Sequence, residues 1–187
     1  MTIHDFDPDA LHYLSARQVG NAIRAGKLSS QQVTEQLLQR IESQDGHYRS
    51  YATVMADSAL SAAHRADTEI AAGRFRGPLQ GVPVAIKDLL YTKGVTTAGG
   101  LKVRRDFVPD FDAEVVTRLQ DAGAVILGKL NLTEGALSGY HPDFPIPLNP
   151  HGDTLWAGVS SSGSGVAVAA GLCYAAIGTD TGGSIRY

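Results

Sequence analysis

The sequence predicts an α/β protein with a mixed β-sheet core covered by helices, and three observations lead to this fold class. Short runs of β-branched and apolar residues alternate with longer segments of helical periodicity, which is typical of α/β chains. The 187 residues are 43% hydrophobic and 19% charged, enough for one domain with a substantial core. The 21 glycines gather near 73–100 and 152–183. This clustering indicates tight turns and excludes collagen-like and repeat architectures.

The first region of the chain, 1–75, is predicted to be a mainly helical lead-in. Three of its segments have helical periodicity or a helix-forming composition: 16–25, 31–43 and 56–72. Ser15 can cap the first helix, and Ser29 or Ser30 can cap the second, because their hydroxyls accept hydrogen bonds from the first free amides. Gly26 and Gly73 stand where the first and third helices should end.

The second region, 76–187, is predicted to carry most of the sheet. Across the whole chain, compact strand-like runs are found at four places: 51–55, 82–86, 124–127 and 174–178. Pro83 favours an edge position or a strand entry for the second run, since proline lacks an amide donor. Helices are expected over 112–122 and 165–172, and four prolines make 140–150 a loop.

Charge and cysteine usage exclude several classes of protein. A net charge of −3 and a pI near 6.0 exclude a broadly basic surface for nucleic acid. The single cysteine, Cys173, rules out an internal disulfide framework and fits a reducing compartment. Residues 1–10 lack the apolar segment of a signal peptide, and the most apolar run, 166–177, is shorter than the roughly 20 residues of a membrane span. We therefore expect a cytoplasmic protein with no membrane partner.

Lys87 is the first candidate for a catalytic residue. It follows an apolar run at 82–86, and burial at the end of a strand would lower the pKa of its amine, giving a neutral general base. Without other information, a lysine that reaches solvent or pairs with Asp88 is the more common outcome.

Two segments rich in glycine and serine complete the candidate site. The stretch 158–165 carries four serines among glycines. A flexible linker is the alternative, but Trp156 and the apolar run after the stretch favour a packed loop that opens a helix. In 178–186, two glycines precede Ser184. Such a turn can point several amides at one oxyanion, although an ordinary β-turn has the same composition.

Together, Lys87 and these two segments resemble the amidase signature family of serine amidohydrolases. The match is close over 158–186 and looser from the helical start through 81–88. The family's domain is more than twice this length. The resemblance therefore implies that 1–187 is the N-terminal part of a single amidase signature domain, incomplete at its C-terminus, with the catalytic core in 76–187.

The resemblance implies a Ser–cis-Ser–Lys triad. Ser184 matches the nucleophile, Lys87 the base, and Ser160, 24 residues before Ser184, the bridging serine beside a cis peptide bond. Val159 and Ser162 stand where the family usually has glycine. By composition alone, Ser161 or Ser162 could also be the bridge, and the spacing favours Ser160.

The resemblance also implies an oxyanion hole without metal or organic cofactor. Its donors would be the backbone amides of four consecutive residues: Thr181, Gly182, Gly183 and Ser184. Asp180 and Arg186 flank the turn and are expected to brace it by hydrogen bonds.

The implied function is hydrolysis of a small-molecule carboxylic amide to an acid and ammonia or an amine, through an acyl-enzyme on Ser184. The alternatives are the A subunit of a glutamine-dependent tRNA amidotransferase, an allophanate-type hydrolase, and an inactive truncated fragment of an amidase. Neither the particular amide nor the oligomeric state is predicted.

Other signals carry less weight. The stretch 123–130 approximates a phosphate-binding loop, but Leu130 stands where that motif needs a hydroxyl. The six histidines show no metal-ligand spacing, and His141 and His151 are expected to be loop residues at the surface. The stretch 131–140 follows a buried strand, so it is expected to lead to the side of the sheet that carries the active site.

Overall fold

The computed structural model describes residues 8–187, so most of the acidic start predicted to lack a signal segment lies outside the described residues. Four strands form one sheet: β1 (Tyr51–Val54), β2 (Pro83–Lys87), β3 (Val125–Leu130) and β4 (Ala176–Ile177). Five α-helices accompany it: α1 (Ala16–Arg24), α2 (Ser30–Tyr48), α3 (Ala56–Ala71), α4 (Glu114–Asp121) and α5 (Ser162–Ala169). Short 3₁₀ turns lie at Pro8–Tyr13, Lys102–Arg104 and Glu134–Ala136.

The sheet is mixed, as the sequence predicts. Its strand order is β1-β3-β2-β4; β1 runs antiparallel to β3, and β2 runs parallel to both of its neighbours. The edge position considered for the strand of Pro83 is therefore wrong, because β2 lies inside the sheet. Pro83 is the first residue of the strand, where a missing amide donor is tolerated.

The helix starts follow from local capping. Ser15 and Ser29 each form a capping box with the glutamine three residues on, Gln18 and Gln32. Ser30 is instead the first residue of α2, and its buried hydroxyl donates to the Gly81 carbonyl at 2.7 Å. This settles the choice between Ser29 and Ser30 as the cap.

Helices α2 and α5 differ most from the prediction, and α5 ends at Ala169, three positions before the predicted end at residue 172. Helix α2 continues past the predicted end at Ser43, because the residues that follow contain no proline, and it ends where Arg49 turns left-handed with φ 56°. Helix α5 begins at Ser162, three positions before the predicted start at residue 165. The serine-rich segment, 158–165, is therefore partly helical.

The core fills the space between the sheet and helices α2, α3 and α5. Helix α3 packs on α2 and β3, and α5 packs on β2, β3 and β4. Gly128 allows the close pairing of β1 with β3, since a Cβ there would lie 2.2 Å from the Thr53 carbonyl oxygen. Because β1 and β3 come from the two predicted regions, these regions share one sheet; their boundary at residue 75 stays a prediction.

None of the helices in residues 8–187 is both long enough and apolar enough to cross a membrane.

Candidate active site

The end of β2 buries the Lys87 amine among hydroxyl groups. The residue is 0% exposed, and its Nζ donates to Ser160 Oγ at 2.7 Å, Ser161 Oγ at 2.9 Å and Thr179 Oγ1 at 2.8 Å. The alternative in which Lys87 reaches solvent or pairs with Asp88 is therefore wrong.

The environment of Lys87 favours its neutral form. Burial lowers the pKa of the Lys87 amine from its model-compound value of 10.5 to about 8, and the nearby Asp180 carboxylate opposes this change. The three hydrogen-bond partners are neutral and compensate only in part for the lost hydration of an ammonium group. A base that titrates near pH 8 suits proton transfer at physiological pH.

The serine-rich segment is a packed turn, so the flexible-linker alternative is wrong. Ser160, Ser161 and Ser162 are all buried, and the peptide bond between Val159 and Ser160 is cis, as the resemblance implies. Gly163 lies against the end of β3, where its amide donates to the Asn131 carbonyl at 3.0 Å.

The Ser161 hydroxyl is held by the backbone of Thr179. It donates to the Thr179 carbonyl at 3.0 Å and accepts from the Thr179 amide at 3.2 Å. Gly178 makes room for this contact, because a Cβ there would lie 2.9 Å from Ser161 Oγ. The Ser161 hydroxyl proton is thus used in the hydrogen bond to the Thr179 carbonyl.

The turn that carries Ser184 is braced by Asp180, as expected. The Asp180 carboxylate accepts from the Gly183 amide at 2.6 Å and from Arg186 Nε and Nη2 at 2.9 and 3.0 Å. These hydrogen bonds hold the pKa of Asp180 well below its ordinary value, and those from Arg186 contribute most. The brace keeps the carboxylate ionised and the turn closed.

Ser184 lies beside the serine-rich segment and is half-buried. Its carbonyl accepts a hydrogen bond from the Ser161 amide at 3.0 Å. No hydrogen bond joins the hydroxyls of Ser184 and Ser160 within residues 8–187. The fold therefore brings Lys87 and Ser160 into contact and places the Ser184 backbone next to them.

The four predicted oxyanion donors are not equivalent. The Gly183 amide donates to Asp180. The amides of Thr181, Gly182 and Ser184 have no hydrogen-bond acceptor among the described residues. They are available to a ligand, whereas the Gly183 amide must first leave Asp180 or divide its hydrogen bond.

Two residues beside the site were not identified from the sequence. Thr179 belongs to the predicted turn, and its position directly before Asp180 is the sequence feature that could have identified it. Tyr140, whose hydroxyl donates to Ser162 Oγ at 2.5 Å, was not named as a site residue, although it ends the stretch 131–140. Its contact confirms that the stretch 131–140 leads to this side of the sheet.

The described residues contain no group of three or more His, Cys, Asp or Glu side chains arranged to hold a metal ion.

The fold and the site define an α/β protein in which a buried lysine meets a cluster of serine and threonine hydroxyls. A family model described as Amidase matches residues 32–187. The chain belongs to this amidase family.

Curated relatives carry two kinds of name. AmiD of Mycobacterium tuberculosis, provisionally named an amidase, is 55% identical over 181 residues, covering 97% of this chain and 38% of AmiD. The A subunit of the glutamyl-tRNA(Gln) amidotransferase of Moorella thermoacetica is 44% identical over 178 residues, covering 94% of this chain and 37% of that protein. The chain thus spans about two fifths of the length of these relatives.

Solved structures show the same fold. The peptide amidase of Stenotrophomonas maltophilia matches with a TM-score of 0.87 and 38% identity, over 95% of this chain and 38% of that one. A fatty acid amide hydrolase matches with a TM-score of 0.89 and 28% identity, over 96% of this chain and 32% of that one.

Proposed function

We propose that this chain carries the catalytic groups of an amidase that hydrolyses a small-molecule carboxylic amide to an acid and ammonia or an amine. The observation that supports this most directly is the buried Lys87 amine, hydrogen-bonded to Ser160 at 2.7 Å and without a carboxylate partner among the described residues. Such an amine can take a proton from a serine hydroxyl. Membership of the amidase family indicates that the reaction is amide cleavage.

The hydrogen bonds around Lys87 favour Ser160 as the bridging serine. Ser161 gives its only proton to the Thr179 carbonyl, so it must accept from Lys87. A neutral amine has two N–H groups, which Ser161 and Thr179 can accept, and one lone pair, which then faces Ser160. Ser162 contacts Tyr140 and has no hydrogen bond with Lys87 among the described residues. Of the three serines, Ser160 is the one placed to pass its proton to Lys87.

The proposed reaction begins at Ser184. Lys87 takes the proton of Ser160 as Ser160 takes that of Ser184, and Ser184 Oγ forms a bond to the amide carbonyl carbon. The proton returns through Ser160 to the amide nitrogen as the C–N bond breaks. Water then adds to the acyl-enzyme with the same groups acting as base, and the acid leaves. This proton path requires the Ser184 hydroxyl to come within hydrogen-bond distance of Ser160.

The turn supplies the oxyanion donors in this proposal. The free amides of Thr181, Gly182 and Ser184 are the first candidates, and Gly183 joins them if it leaves Asp180. The loss of one such donor typically costs about 2.7–4 kcal/mol of transition-state stabilisation.

We favour a free-standing amidase over a component of an amidotransferase, because identity is higher to AmiD than to the amidotransferase relative, 55% against 44%. A glutaminase activity that depends on added partner proteins would favour the second function. A cytoplasmic location, the absence of a cofactor and the absence of direct nucleic-acid contacts stay predictions.

Covalent labelling with a fluorophosphonate tests the proposal. We expect mass spectrometry to find the adduct of the parent chain on Ser184, and Ser184→Ala to abolish it. Ser160→Ala should reduce the labelling rate by about 10²–10⁴-fold, since it breaks the proton path. The exposed Ser58→Ala serves as the matched control and should label like the parent. An adduct that persists in Ser184→Ala contradicts the nucleophile, and a Ser162→Ala loss without a Ser160→Ala loss contradicts the bridge.

A further inference from the structure

A second buried lysine lies next to the candidate base. Lys129 in β3 is 0% exposed and Asp88 3% exposed, and Lys129 Nζ is 3.2 Å from Asp88 Oδ1. Lys129 also donates to Thr97 Oγ1 at 2.6 Å. The other carboxylate oxygen, Asp88 Oδ2, accepts from the amides of Ala98 and Gly99 at 3.0 and 3.2 Å. An ammonium group from a strand and two amide donors from a loop thus surround one carboxylate.

This pair is built into the backbone that carries Lys87. Asp88 directly follows Lys87, and its amide donates to the Leu130 carbonyl at 2.9 Å, next to Lys129. The Gly99 amide also donates to the Asp88 carbonyl at 3.0 Å. The ends of β2 and β3 and the loop at 97–99 are therefore tied together at the point where β2 delivers Lys87 to the serines.

The pair also affects the electrostatic environment of Lys87. An unpaired carboxylate one residue from Lys87, in a buried site, would stabilise the ammonium form of Lys87 and raise its pKa. The charge recorded as acting on Lys87 is that of Asp180, which is itself paired with Arg186. Asp112 also favours the charged form of Lys129. Lys129 is the cation placed to cancel the charge of Asp88.

We propose that Asp88 and Lys129 act as a net-neutral positioning pair that anchors the end of β2 and keeps Lys87 free to lose its proton. The pair touches neither the substrate nor the reacting atoms, and its role acts through Lys87. This inference rests on the proposed function to the extent that Lys87 is the base.

Direct titration of Lys87 tests the proposal. The chain is produced with ¹⁵N and ¹³C in its lysine side chains, and the Nζ signal that disappears in Lys87→Met is followed by NMR from pH 6 to 11. In Lys129→Met, Asp88 keeps its two amide donors but loses the cation that opposes the rise of its pKa by burial. At pH values where its carboxylate is ionised, the midpoint of Lys87 should rise by about one pH unit or more. In Asp88→Asn/Lys129→Met, a neutral pair replaces a net-neutral pair, and the midpoint should return to the parent value.

Two results overturn the proposal: an unchanged midpoint in Lys129→Met, or a double variant whose midpoint is shifted by a pH unit. A purely structural role would change folding stability or labelling rate but would not move the midpoint up and back. If Lys129→Met does not fold, Asp88→Asn takes its place: it leaves the Lys129 cation without its carboxylate, so the midpoint of Lys87 should fall, and an unchanged midpoint overturns the proposal.

The same samples separate this inference from the proposed function. Failure of the parent chain to react with the fluorophosphonate at Ser184 contradicts the function, whatever the NMR midpoints do. Midpoints that do not respond to Lys129→Met contradict the pair, even if Ser184 labels normally.

Discussion

Lys87 and Lys129 are the same residue type, equally buried, on neighbouring parallel strands, yet their partners differ. Both are 0% exposed and lie near the carboxyl ends of β2 and β3. Lys129 has a carboxylate partner in Asp88, whereas Lys87 has only hydroxyls among the described residues. The comparison teaches that burial alone does not make a lysine a base; the charge of its partner decides.

The physical reason is the cost of a buried ammonium group. Burial lowers the pKa of both amines, but Asp88 opposes this effect at Lys129. For Lys87 the neutral hydroxyls do not compensate for the lost hydration of the ammonium group. The pKa of Lys87 is therefore lowered to about 8. The two buried amines therefore differ in whether a carboxylate is in direct contact with them.

The largest expected effect separates the two lysines by activity. Lys87→Met should slow fluorophosphonate labelling of Ser184 by about 10²–10⁴-fold, because the general base is lost. Lys87→Arg should be equally slow, since a guanidinium stays protonated. Second-order labelling rates at pH 8 measure both. Near-parental labelling of Lys87→Arg would break the comparison, because a permanent cation would then suffice.

Folding stability should separate them in the opposite sense. Lys129→Met leaves the buried Asp88 carboxylate without its cation and is expected to lower the free energy of unfolding by about 3–5 kcal/mol. Lys87→Met replaces an amine hydrogen-bonded only to hydroxyls with an apolar chain of similar length, so no loss of that size is expected. Urea denaturation at pH 7 compares them, and equal losses would contradict the assignment of partners.

The pH dependence of labelling sharpens the comparison further. Because burial depresses the pKa of Lys87 to about 8, the neutral base is a minority below that pH. Its population grows about tenfold per pH unit as the pH rises. The labelling rate should follow this rise and level off above pH 8. A rate that still climbs towards pH 10.5 would mean that the Lys87 amine keeps its ordinary pKa.

A smaller effect is expected where helix α5 meets the ends of the strands. A Cβ on Gly163 would lie 2.5 Å from the Asn131 carbonyl oxygen and 2.7 Å from that of Ser50, whereas one on Gly165 meets nothing within 4 Å. Gly163→Ala should therefore lower the free energy of unfolding by about 1–3 kcal/mol. Gly165→Ala is the matched control. Thermal unfolding of both variants checks this. Equal unfolding temperatures would show that the contact of α5 with the strand ends can accommodate a methyl group.

Much of the fold was predictable because it depends on neighbours in sequence. Ser15 and Ser29 cap helices through bonds to residues three positions away, and Asp180 braces its turn through Gly183 and Arg186. These groups meet in any conformation close to the local one. Hydrophobic patterning likewise predicted all four strands, although not that β2 lies inside the sheet.

The sequence by itself therefore determined which elements form, the first helix cap, the braced turn and, through its motifs, the family. Only the tertiary structure decided which groups surround each buried amine, since Lys87 meets Ser160 and Thr179 from 73 and 92 residues away. It also decided that Asp88 pairs with Lys129 and that Tyr140 reaches Ser162. Local propensities act over a few residues, whereas these partners are selected by the packing of helix α5 and the strands around it.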